Sequence, residues 1–416
     1  MAMSKQGELK KTINLSKGVS LTIGSIIGSG LLALPGIAYV RYGTSSLIAW
    51  ITTAFLVLPF AFIFSDLSAK FPSAGGICEF TRRAFGDMAS QIMAFVIAGT
   101  WPIGIPILAL IGAYYVARVL GIAYHYVPAV ALAILVVVSA LNLLGGELSG
   151  NVQRAVVLAT VLLLSMVVLL AVPRTPVVKP NMNPLKVWEA MSLIFWAYLG
   201  FENVTFLSEE FRNPRRDVLL SMLFGLACIV FLYVGLSYVV IGLLKKTYLT
   251  EVTPVIEVID RVGGSTAGLV AGIVSVLIVF INLNAWVWGA SRSIYSASRE
   301  GLLPAFLSRL NRYSSPYVSI LSLLITWVAV LAVYSTFRLS LAEMFRFANQ
   351  NFAIMYFASV LAYVKVNGGV QRVFGLTTFA VILAFMFTYG YALAYPVGLA
   401  FAATAYWRLV NNGRNW

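Results

Sequence analysis

The chain has 416 residues, of which 60% are hydrophobic and 11% charged, and it carries a formal charge of +14. An ordinary soluble domain is roughly 25% charged, so the composition argues against a soluble enzyme, a disordered chain and a nucleic-acid-binding domain, and for an all-α polytopic membrane protein. A spanning helix uses about 20 apolar residues, so twelve spans with short connections account for the length.

Residues 1–16 form a lysine-bearing segment, expected to be cytoplasmic. The apolar run from Val19 to Val40 is too long for the core of a secretory leader and lacks a small-residue cleavage site, so it reads as the first span. Twelve spans are predicted near 17–39, 45–68, 88–119, 126–145, 153–173, 188–208, 218–243, 267–296, 317–335, 343–364, 373–390 and 392–409. Only a tight turn at Tyr389-Gly390-Tyr391 separates the last two. With the N-terminus inside, 19 of the 29 lysines and arginines fall on inner segments, which predicts that both termini are cytoplasmic, in a cell (inner) membrane. Cys78 and Cys228 show no redox or metal spacing, and the sole histidine, His125, reads as a loop or interface residue. No cofactor or metal is expected.

The first span holds Gly24-Ser25-Ile26-Ile27-Gly28-Ser29-Gly30, then Pro35-Gly36. That glycine density predicts a mid-membrane break, tolerated only where it is buried or lines a cavity. Freed N–H groups would attract an anion and freed carbonyls a cation, and an α-amino acid carries both. Close helix packing by small residues is the competing reading. The sixth span reads Phe195-Trp196-Ala197-Tyr198-Leu199-Gly200-Phe201-Glu202, with Gly200 as the expected breaking point. Glu202 is an intramembrane carboxylate. It either bonds orphan amides of the broken helices, or couples protons, or touches substrate.

Breaks in spans one and six give five spans per unit. Five is odd, so the second unit enters the membrane inverted. The expected units are repeat one at 17–173, an extracellular connector at 174–187, repeat two at 188–364, and the last two spans with a short cytoplasmic C-terminus at 365–416.

The ordered motifs are Ile27-Gly28-Ser29-Gly30-Leu31, Phe71-Pro72-Ser73-Ala74-Gly75-Gly76, Arg82-Arg83-Ala84-Phe85-Gly86, Gly200-Phe201-Glu202, Glu209-Glu210-Phe211-Arg212-Asn213-Pro214 and Ser298-Arg299-Glu300-Gly301-Leu302-Leu303-Pro304. With them the chain resembles the amino acid–polyamine–organocation transporter superfamily along essentially its full length. Pro102-Ile103-Gly104-Ile105-Pro106 adds a likeness to the branch that exports methionine and branched-chain amino acids. The resemblance implies a leucine-transporter-like fold, alternating access and no enzymatic activity. It implies that Ser29 and Gly30 bind the substrate carboxylate, that Gly28 gives backbone freedom, and that the carbonyls of Ile26, Trp196 and Leu199 receive the amine. Ile27 and Gly200 complete the two breaks, and Trp196 and Trp286 fall on gate positions. One proton-coupled branch has a lysine in span five where this chain has Thr160, and Ser275 is the only span-eight hydroxyl before Ser291. Uniport, exchange, and H+ or Na+ coupling therefore stay open, as does the oligomeric state.

The expected pocket walls are Ile23, Ile27, Leu31, Pro102, Ile105, Phe195, Leu199, Phe201 and Trp286, all apolar. A desolvated cationic side chain needs a paired acid, and Glu202 is the only one expected near the midplane. A neutral hydrophobic substrate such as methionine, leucine, isoleucine or valine is favoured over a cationic or broad-specificity antiporter's substrates. The charges Glu209, Glu210, Arg212, Arg215, Arg216 and Asp217 read as a solvated inner loop, with a cytoplasmic gate as the alternative. Membrane lipids are the expected surroundings. A membrane enzyme would need convergent His, Cys, Asp or Lys groups at one depth, and the sequence offers no such set.

Overall fold

A computed structural model describes residues 11, 13–27, 30–73, 75–145 and 150–412. Among them the chain is helical, apart from one isolated parallel bridge between Ile13 and Phe211. The helices are α1 (Leu15–Ile26), α2 (Gly30–Tyr42), α3 (Ser45–Lys70), α4 (Ile77–Phe85), α5 (Asp87–Leu120), α6 (Val127–Leu143), α7 (Gly150–Ala171), α8 (Pro184–Ile194), α9 (Pro214–Leu243), α10 (Tyr248–Val252), α11 (Pro254–Gly263), α12 (Ser265–Arg299), α13 (Tyr317–Thr336), α14 (Leu341–Val366), α15 (Gly369–Met386) and α16 (Ala394–Asn412).

Eight helical runs among the described residues are long and apolar enough to cross a membrane, and α1 with α2, whose axes differ by 50°, adds a ninth. This is a multi-pass membrane protein. One of the eight runs is Gly369–Leu409, in which Gly390, at φ 54°, breaks helical geometry between α15 and α16. The expected sixth span consists of α8 followed by two 3-10 segments, Phe195–Tyr198 and Phe201–Glu210. The expected tenth span is α14, whose arginine, glutamate and amide side chains lower its hydropathy.

Local chemistry sets many of the helix ends. Asn14 caps α1 by accepting from the Lys17 N–H at 3.0 Å, and Asn183 caps α8, which has Pro184 in its first turn. Such caps satisfy donors with no intrahelical partner. Ser340 and Glu343 form a reciprocal capping box on α14. Three short helices are absent from the sequence reading. α4 precedes α5, and α10 and α11 lie between α9 and α12.

α5 and α12 pack together at the centre, with α14 against α5, while α1 and α3 pack on α9. At the N-terminal end of α1, the Ile13 N–H donates to the Glu210 carbonyl at 3.0 Å and the Arg212 N–H donates to the Ile13 carbonyl at 2.9 Å. This seam ties the chain before α1 to the segment before α9. At the opposite end, α10 and α11 cover α2 and α5. Arg118 at the end of α5 pairs with Glu257 at 3.1 Å and Asp260 at 2.9 Å, and Arg41 pairs with Glu251 at 3.3 Å. The Tyr248 hydroxyl donates to Tyr114 at 3.1 Å, and the hydroxyls of Tyr114 and Tyr334 lie 2.9 Å apart. Gly36 lets the backbone of Thr250 approach α2 where a Cβ would collide.

Candidate functional site

The two breaks meet. α1 ends at Ile26, and α8 gives way to 3-10 geometry at Phe195. Between the two 3-10 segments Gly200 has φ 118° and ψ −23°. A Cβ at Gly200 would collide with the backbone carbonyl of Ser25. Glycine is therefore needed twice here, for its left-handed backbone and for the close approach.

Trp196 lies across this junction. A Cβ added at Gly30 would sit 3.1 Å from one edge of its indole, and one at Gly104 would sit 3.1 Å from the other. Trp286 of α12 is stacked on it at a centroid distance of 6.3 Å and 22°. Phe345 and Phe352 of α14 meet it edge-on at 5.5 and 5.7 Å. Tilted and edge-on pairs of this kind are favourable beyond their buried area.

Two spaces adjoin the junction. One is a small void of about 10 Å³ lined by Ile26, Gly30, Leu108, Trp196, Leu199, Tyr233, Trp286 and Phe352. The other is a cavity of about 400 Å³ that runs from Ser25, Glu202, Asn282 and Trp286 to the surface beside exposed Ser296 and Glu300. Chain direction places this opening at the end of the bundle opposite α10 and α11.

Glu202 is buried. Its Oε2 accepts from the Gly200 N–H at 2.8 Å and from the Tyr356 hydroxyl at 2.6 Å. The carboxylate thus satisfies an orphan amide of the break, and it also lines the larger cavity. The Tyr356 ring is enclosed by Phe60, Phe64, Phe195 and Phe201. Asn349, also fully buried, donates from Nδ2 to the Ser192 carbonyl at 2.8 Å and the Leu193 carbonyl at 3.2 Å, just before the break. Phe345, Asn349, Phe352 and Tyr356 follow each other by four, three and four residues, so one stripe of α14 meets both halves of the broken span. Replacing Asn349 by leucine is expected to strip the amide from both carbonyls and lower stability by about 1–3 kcal/mol. Thermal unfolding in detergent, followed by size exclusion, measures this; an unchanged midpoint refutes the contact's importance.

Of the expected site residues, Ile26, Gly30, Trp196, Leu199 and Trp286 are brought together around the small void. Gly200 sits against Ser25, and Glu202 faces the larger cavity. The Ile27 carbonyl accepts from Asn282 Nδ2 at 3.4 Å, and the Trp196 carbonyl accepts from the Leu199 N–H at 3.2 Å. Gly28 and Ser29 lie outside the described residues. Of the expected walls, Ile23, Ile27, Leu31, Pro102, Ile105, Phe195 and Phe201 line neither space. Phe195 and Phe201 pack on Tyr356 instead. Leu108, Tyr233 and Phe352 take the vacant wall positions. Thr160, at the lysine position of the proton-coupled branch, donates to the Val156 carbonyl of its own helix at 2.8 Å.

Sequence reasoning missed Asn282, Asn349, Phe352 and Tyr356. For the two asparagines a signal was present, because amide side chains inside apolar spans are costly unless they are partnered. Phe352 and Tyr356 carry no such mark in a chain with 26 phenylalanines and 20 tyrosines.

Residues 13–411 match the family model described as amino acid permease. The chain is 30% identical over 409 residues to an uncharacterized amino acid permease, YecA, of Bacillus subtilis, covering 96% of each chain. It is 26% identical to the L-methionine/branched-chain amino acid exporter YjeH of Escherichia coli, covering 88% of each. It is also 26% identical to the branched-chain amino acid permease BcaP of Bacillus subtilis, over 76% of this chain and 74% of that one.

Proposed function

The chain belongs to the amino acid permease family, and from that premise we propose that it moves neutral, hydrophobic amino acids such as methionine, leucine, isoleucine and valine across the cell membrane by alternating access. The carrying observation is the small apolar void where two helix breaks meet, closed over at one end of the bundle and adjoining an open cavity at the other. Discontinuous helices at mid-bundle are where carriers of this kind hold substrate.

In this reading the substrate carboxylate is bound by Ser29 and Gly30, and Gly28 gives the backbone freedom. The ammonium lies on the carbonyls of Ile26, Trp196 and Leu199, which border the two breaks. Trp196 and Trp286 are the gates. Glu202 holds the Gly200 amide and so fixes the curve of the second break. The void walls carry no acidic residue, and a buried cationic side chain would lack a partner. That, with the branched-chain amino acids for which two relatives are named, supports the neutral hydrophobic class.

The architecture proposed with this function has twelve spans and a leucine-transporter-like fold. Two inverted five-span repeats lie at 17–173 and 188–364, and both termini are cytoplasmic. Twelve follows if the α1–α2 pair, the broken segment 184–210, α14, and α15 and α16 taken separately all cross the membrane. The larger cavity then opens to the cytoplasm, and the ion pairs of Arg118 and Arg41 lie outside.

Counterflow of labelled methionine in proteoliposomes tests the proposal. Unlabelled leucine is expected to compete at concentrations at least about tenfold below those needed for arginine, a hydrophobic-pocket margin. Equal competition by arginine overturns the neutral-substrate reading, and no counterflow with any amino acid overturns the transport reading.

A further inference from the structure

We propose that Phe352 of α14, together with Trp286, forms the partition between the small void and the open cavity, and that the Phe352 ring limits the size of side chain carried. The proposal rests on the transport reading above for its substrate part only. Trp286 and Phe352 are the two residues that line both spaces. Phe352 is 4% exposed and meets Trp196 edge-on at 5.7 Å and 89°.

The void has room for about one water molecule. A leucine-sized side chain enters only if a wall moves. In this conformation Trp196 is wedged between Gly30 and Gly104, so its ring turns only if the broken span shifts with it. Ile26 and Leu199 belong to the two breaks themselves, and Leu108 is packed at the bundle centre. Trp286 and Phe352 each have the void on one side and the 400 Å³ cavity on the other, but Trp286 is held between the rings of Trp101 and Trp196. The Phe352 ring can turn into open space about two side-chain torsions, without displacing a packed neighbour on that side.

The backbone beneath it is held on both sides. One turn earlier Asn349 bonds the Ser192 and Leu193 carbonyls, and one turn later Tyr356 bonds Glu202. Those contacts fix α14 to both halves of the broken span. The Phe352 ring therefore swings on a fixed base, and its bulk sets the space left to a substrate on the inner side of the void.

Thiol labelling tests the partition without any transport. In a Cys78→Ser, Cys228→Ser background, Leu108→Cys places a thiol on the void alone, since Leu108 is 1% exposed and does not line the cavity. N-ethylmaleimide is expected to react with it slowly, and about tenfold faster or more once Phe352→Ala is added. Phe352→Leu serves the same purpose if the alanine variant elutes as aggregate. Unchanged labelling in a monodisperse variant overturns the partition. For the size limit, phenylalanine competition against labelled leucine is expected to improve about tenfold relative to alanine in Phe352→Ala, on the scale of a hydrophobic pocket's discrimination. An unchanged ranking overturns the size limit. If the unmodified protein carries no amino acid while labelling still responds to Phe352, the partition stands and the transport reading fails.

Discussion

Gly200→Ala is expected to reduce counterflow in proteoliposomes to background while the protein remains monodisperse in detergent. Two costs coincide at this position. The backbone at φ 118° disfavours any residue with a Cβ, by about 1–3 kcal/mol. The added methyl would also collide with the Ser25 carbonyl, which is backbone and has no rotamer to give way. Relief requires the broken sixth-span segment to move off α1, which separates Ile26 from Trp196 and Leu199 and opens the void they share. Most of the bundle does not depend on that contact, since α5, α6, α12 and α13 pack on one another. Retained transport in Gly200→Ala would show that the junction is not where substrate passes.

Glu202 yields the second large effect, and two substitutions separate its roles. Leucine removes the acceptor of both the Gly200 N–H and the Tyr356 hydroxyl. Each buried donor left without a partner costs about 1–3 kcal/mol. Glu202→Leu is therefore expected to lose transport and to unfold at a lower temperature. Glutamine keeps a carbonyl oxygen that can accept both bonds, so Glu202→Gln is expected to retain transport with an unchanged pH profile. Loss of transport in Glu202→Gln, with folding intact, would assign the carboxylate a proton-carrying role instead.

Part of this site was legible in the sequence. Glycine density in span one and Gly200 in span six mark breaks because an apolar helix seldom gathers so many residues without side chains unless its backbone must unwind or approach another. Glu202 stood out because an isolated carboxylate in an apolar run needs a partner. The identity of its partners was not legible, since Tyr356 is 154 residues away and nothing local distinguishes it.

The wall residues show a second limit. Pro102 and Ile105 were the expected contributions of span three, whereas Leu108 faces the void. Between its polar ends α5 is apolar on all sides, so no amphipathic stripe records which face turns inward. The phase of such a helix is set by its neighbours α12, α6 and α14. The short helices α4, α10 and α11 leave no long apolar run in the sequence: α4 and α11 are short and amphipathic, and α10 has 5 residues.

The sequence alone determined that this chain lives in a membrane, roughly where it crosses, where its helices break and that its core holds few charges. Each follows from the cost of exposing polar backbone or charge to lipid, which acts residue by residue and leaves its mark in composition. Only the tertiary structure decided that the two breaks meet at Ser25 and Gly200, that Trp196 is wedged between two glycines, and that one stripe of α14 holds both halves of the broken span. Those outcomes depend on shape fit between segments far apart in the chain, and many aromatic and glycine positions would serve equally well until packing selects among them.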